Sequence, residues 1–176
     1  MKIFVVVYFL ATTLFAHPHT FIDVYPTIKV KNNKIVSLHF KWVMDEMTSS
    51  MLIMDFDQNG DGKINSKENF FIYSSYFVSL SDYDFYTTVK INGKVVKLPK
   101  PKNFKATIEN HKICYSFDIK QEYNIKNTIF EFGDPDFYVA MLLKDKYVKI
   151  QGAKAKVSEM DNDFYFGYKL EFQIKN

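Results

Sequence analysis

The chain has 176 residues, 47% hydrophobic and 18% aromatic, which suffices for one domain with a packed core. Its formal net charge is +3, and all 23 basic residues are lysines scattered among 20 acids, so nucleic-acid binding has no basic patch to rest on. The single cysteine, Cys114, excludes an internal disulfide.

In chain order, Met1 to Ala16 carry one lysine, Lys2, and an apolar run from Ile3 to Leu10. That layout predicts a secretory signal peptide, residues 1–16, too short to span a membrane and cleaved after Ala16. No cysteine stands at the cut to take a lipid anchor, so the expectation is an exported, periplasmic chain of residues 17–176.

Cleavage would expose His17-Pro18-His19. A terminal histidine offers both an α-amine and an imidazole, a pair that suits zinc, nickel or copper. Pro18 has no N–H to lose, which rules out the chelate built on a deprotonated second amide. What remains is His17 with His19, on one side of a following strand, joined by His39 or His111 if the fold brings either close.

Residues 20–31 alternate, break at Asn32-Asn33 and resume over 34–42, a β-hairpin pattern. Val43, Met47, Met51 and Met54 then recur at helical spacing. Thioethers, those of Met44 included, are soft ligands for Cu(I), but such a stripe is more often core packing or an adaptable contact surface, and packing is the expectation here.

The helix runs into Asp57-Gln-Asn59-Gly-Asp61-Gly62-Lys63-Ile64-Asn65-Ser-Lys-Glu68, which has the pattern of an EF-hand calcium loop. Ca²⁺ takes six to eight hard oxygens at roughly 2.3–2.6 Å. Asp57, Asn59, Asp61, the Lys63 carbonyl, Asn65 and the bidentate Glu68 fall where such a loop needs them. Gly62 occupies the sharp bend, and Ile64 can anchor the loop to the protein. There is one such loop and no second copy, so paired sensor behaviour is not expected; a structural calcium of modest affinity, about 10⁻⁴–10⁻³ M, is.

Phe70, Tyr73, Phe77 and Leu80 repeat the helical period up to Ser81-Asp82. From residue 85 the pattern turns to β. Asn92-Gly93 marks a tight hairpin, and further strands are expected near 103–109, 112–122, 126–132, 137–143, 147–151, 153–160 and 164–175. Turns fall at Asn110-His111, Asp134-Pro135 and Asp161-Asn162-Asp163. Cys114 should face oppositely to Ile113 and Tyr115 as a small buried hydrophobe. The aromatic run Phe164 to Tyr168 reads as strand core rather than a sugar-stacking surface. The fold expected is α+β: one β-rich, antiparallel, sandwich-like domain with a helix-loop-helix EF-hand unit inserted at about 43–81.

Several of these pieces occur together: His17-Pro18-His19 before Phe21-Ile22-Asp23, Trp42 with Asp45-Glu46, the loop from Asp57 to Glu68, and Asp134-Pro135-Asp136-Phe137-Tyr138. In this order they resemble the DUF1007 family of exported bacterial proteins, across almost all of residues 17–176. The resemblance implies a periplasmic component beside an ABC-type or other membrane permease for nickel, cobalt or zinc, and no established reaction. It carries over His17, His19 and the loop ligands as binding residues and gives Asp45, Glu46 and Asp134 no role. The leading expectation is therefore a metal-binding accessory protein of a membrane metal transporter, not an enzyme. Two alternatives stand beside it: a calcium-stabilised interaction module without a second metal, and a copper enzyme using an amino-terminal histidine brace.

Overall fold

Alternation of apolar and polar residues over the first hairpin produces two long strands, β1 (Thr20–Lys31) and β2 (Lys34–Met44), with Ile22, Val24, Ile28 and Val30 of β1 buried. The computed structural model describes residues 19–136, 138–160 and 167–173. After β2 come helices α1 (Glu46–Phe56) and α2 (Ser66–Ile72), then a π-helical turn (Tyr73–Phe77) and a 3₁₀ segment (Val78–Tyr86). The strands that follow are β3 (Thr87–Ile91), β4 (Lys94–Val96), β5 (Lys102–Glu109), β6 (Lys112–Ile119), β7 (Tyr123–Asn124) and β8 (Thr128–Gly133). The last four are β9 (Val139–Leu142), β10 (Lys149–Gln151), β11 (Lys154–Glu159) and β12 (Gly167–Gln173).

They form two sheets. The larger has the order β10-β1-β2-β6-β5, with β9 also on β1 and β7 also on β2; the smaller has the order β11-β12-β8-β3-β4. Phe40 of β2 joins their inner faces, lying 5.5 Å from Phe117 of β6 and 5.7 Å from Phe132 of β8. The helical insertion covers the rest of the larger sheet's inner face. Its Phe77 is buried against Trp42, Phe104 and Phe117 at ring distances of 6.3, 4.3 and 5.1 Å. Each such ring contributes roughly 1.5–3 kcal/mol by leaving water.

The expected hairpins form where the turn chemistry asks for them. Asn32-Asn33, Asn92-Gly93 and Asn110-His111 all have positive φ at both central positions, the backbone that matches strand twist in a two-residue loop.

Two expectations need correction. The fold is not wholly antiparallel: β1 pairs in parallel with β9 over Thr20–Asp23 and with β10 over Thr27–Lys29. Between these two pairings stands Pro26 of β1, which has no N–H to donate, and beside it the segment joining β9 to β10 forms a 3₁₀ turn (Asp145–Tyr147) whose Tyr147 ring lies 4.2 Å from Tyr25. The helical stretch also starts later and ends later than expected, at Glu46 and Tyr86. Its second half is not one regular α-helix. α2 buries Glu68 and Ile72 and leaves Phe70 68% exposed, and the π turn that follows inserts a residue, so that the next buried position is Phe77.

The turn Asp161-Asn162-Asp163 and the run Phe164 to Phe166 lie outside the described residues. Among the described residues no helix is long and apolar enough to cross a membrane.

Candidate functional site

The segment from Asp57 to Glu68 links α1 to α2, and its polar side chains are turned inward onto its own backbone. Asp57 Oδ1 and Oδ2 accept from the Asp61 and Gly62 amides at 3.1 and 2.8 Å. Asn59 Oδ1 accepts from the Asp61 amide at 3.3 Å, and Asp61 Oδ1 from the Lys63 amide at 2.9 Å. Asn65 caps α2, its side chain accepting from the amides of Lys67 and Glu68. Glu68, 3% exposed, closes the loop: Oε2 accepts from Asn65 at 2.8 Å, and Oε1 from Gln58 and Asn59 at 3.0 and 3.4 Å.

Gly62 has φ +75°, a backbone conformation that only glycine takes cheaply. Ile64 packs against the core, as expected of the loop's anchor. Among the described residues no three His, Cys, Asp or Glu side chains converge as a metal-holding group. In this loop the carboxylates engage amides, and the remaining oxygens belong to Asn59, Asn65 and the Lys63 carbonyl.

At the start of β1, His17 and Pro18 lie outside the described residues. His19 is exposed, and its amide donates to the Tyr138 carbonyl at 3.0 Å. Asp45 and Asp134, to which the sequence assigned no role, order the segments at this end: Asp45 bonds to β1 and caps α1, and Asp134 holds the turn that leads into β9. Asp45 Oδ2 accepts from the Phe21 amide at 2.8 Å and from Thr48 Oγ1 at 2.7 Å, while Oδ1 caps α1 through the Thr48 amide. Burial alone would raise the Asp45 carboxyl, but these hydrogen bonds outweigh it and hold the group below its ordinary value. Asp134, 3% exposed, accepts from the amides of Asp136, Tyr138 and Val139. Burial first, and the Asp134 charge second, push the nearby Tyr86 hydroxyl up to about 12.

Three short stretches far apart in sequence thus meet around the first residues of β1. An Asp directly before a helical run, with Glu46 in the first turn, was the available signal for Asp45 as a cap.

The other two histidines are placed differently. His39 pairs with Thr27, eight residues beyond His19, which is roughly 26 Å along the strand. Its Nδ1 is 2.8 Å from Asp118 Oδ1. His111 occupies the β5–β6 turn, at the same end of the sheet as His19 because Cys114, Val43 and Asp23 lie in one row. It is two strands away, roughly 10 Å.

A family model described as a protein of unknown function, DUF1007, matches residues 2–162. The chain belongs to the DUF1007 family. A protein of Haemophilus influenzae described only as uncharacterized is 29% identical over 147 residues, 78% of this chain and 68% of its own length. An uncharacterized 15.5 kDa protein of Spirochaeta aurantia is 32% identical over 66 residues, 38% of this chain and 47% of its own. No solved structure matches.

In this DUF1007 chain the methionine stripe is a further correction. Met47, Met51 and Met54 are 62, 52 and 78% exposed, whereas α1 buries Thr48, Ser49 and Phe56. The helix packs through the opposite side, so the thioethers are not core. Met44, the last residue of β2, is buried. Cys114 is buried as expected, and burial followed by the Glu109 charge raises its thiol.

Proposed function

We propose that this DUF1007 protein is an exported periplasmic metal-binding accessory protein, with an EF-hand calcium loop at residues 57–68 and a transition-metal site at His17 and His19. The observation that carries the calcium half is Glu68, which reaches from the first turn of α2 back to the amides of Gln58 and Asn59 and so joins the two ends of the loop. Asp57, Asn59, Asp61, the Lys63 carbonyl, Asn65 and Glu68 are a hard-oxygen donor set, the chemistry that suits Ca²⁺. A bound calcium would supply a charge that ties α1 to α2. A carboxylate has about four lone-pair sites. Glu68 gives three of them to amides, so bidentate binding exchanges at least one amide for the ion.

The terminal half of the proposal is supported by the way Asp45, through the Phe21 amide, and the Tyr138 carbonyl, through the His19 amide, fix the start of β1, with His19 exposed there. A loosely held zinc, nickel or copper ion there suits delivery to or from a membrane permease. Export and cleavage after Ala16 belong to the same proposal, since the His17 α-amine exists only then.

Titration of the cleaved protein with Zn²⁺, Ni²⁺ and Cu²⁺ tests the terminal half. Binding that His17→Ala with His19→Ala abolishes is the expected result, and equal binding by the double variant overturns it. For the calcium half, millimolar CaCl₂ should raise the melting temperature of the wild type and not of Glu68→Gln. An equal rise in both overturns the ligand assignment.

A further inference from the structure

Three thioethers on the open side of α1 remain without a use. At 100° per residue, Met47, Met51 and Met54 fall within an arc of about 60°, directly opposite Phe56. Burying a methionine side chain is favourable because its apolar surface leaves water. The fold forgoes that three times on one face, although shorter apolar residues on the other face are packed.

We propose that Met47, Met51 and Met54 form a soft-metal site for Cu(I), with Met51 as the shared ligand. Residues three and four apart on a helix have Cβ atoms roughly 5–6 Å apart. Flexible thioethers at that spacing can close on one ion in pairs, Met51 with Met47 and Met51 with Met54. Thioether sulfur selects Cu(I) over hard cations such as calcium, so the site does not compete with the loop beside it. It carries no proton to displace, so its affinity is insensitive to mild acid, unlike that of imidazole or amine. The inference goes beyond the reading above and does not rest on it.

The test is an anaerobic titration of the cleaved protein with Cu(I), competed by bathocuproine disulfonate, at pH 7 and pH 5. Histidine, with an ordinary pKa of about 6.5, is largely protonated at the lower pH. A Cys114→Ser background removes the buried thiol as a competing soft ligand. The expected result is one Cu(I) per chain retained at pH 5, weakened at least tenfold by Met51→Leu and abolished by the triple leucine variant. Met47→Leu and Met54→Leu alone should weaken it less than Met51→Leu. Leucine keeps the helix propensity and the apolar face, and an unchanged circular dichroism spectrum verifies the fold. No Cu(I) uptake by the wild type at pH 5, or equal uptake by the triple variant, overturns the proposal.

Discussion

Asp45 serves two segments at once, accepting from the Phe21 amide on β1 and capping α1 through Thr48. Replacing an N-cap aspartate with alanine costs about 1 kcal/mol. Asp45→Ala should lower the urea midpoint by a corresponding amount, and Asp45→Asn, also a good cap, by less. Because the Asp45 carboxyl is held below its ordinary value, its contribution is complete above the ordinary carboxylate range and is lost as pH falls through the lower folded value. The gap in midpoint between wild type and Asp45→Ala should therefore narrow from pH 7 to pH 3. Gly152 is constrained more directly: its φ is +88°, and a Cβ there would lie 2.1 Å from the Val30 carbonyl oxygen. Gly152→Ala should cost about 2 kcal/mol, read from the same denaturation curves. Buried Cys114, with its thiol pKa raised, should react with Ellman's reagent only after unfolding.

At the scale of elements, the loop and the helical run after it are mechanically linked to the core. Trp42, the one tryptophan of the chain, is fully buried 6.3 Å from Phe77, which continues directly from α2. Any rearrangement at Glu68 that shifts α2 should change the fluorescence of Trp42. Calcium should alter the emission of the wild type and leave Glu68→Gln unchanged; an equal change in both would sever the loop from the response. The hairpins were legible because a two-residue turn announces itself through Asn and Gly. The register of the second helix was not. Its period broke at the π turn, and an inserted residue leaves no compositional mark. The methionine stripe misled for a related reason: period locates a face but cannot say whether that face looks inward.

Across the whole molecule, two sheets and a helical insertion form one core, and the β-rich class was readable from alternation alone. The parallel pairing of β1 with β9 and β10 was not, since it joins segments more than a hundred residues apart with no turn chemistry between them. Nor was the placing of the Asp134 turn beside the head of β1, where Asp45 accepts from the Phe21 amide, since it depends on that same long-range pairing. The pattern from Asp57 to Glu68 is local and so could be read residue by residue; the structure has Asp57 and Glu68 accepting from amides of the loop, and calcium at these oxygens is the proposal. Isothermal titration calorimetry with CaCl₂ on the cleaved protein tests it most directly. One calcium per chain for the wild type and none for Glu68→Gln is the predicted result. No binding heat in the wild type, or the same isotherm for the variant, would contradict it.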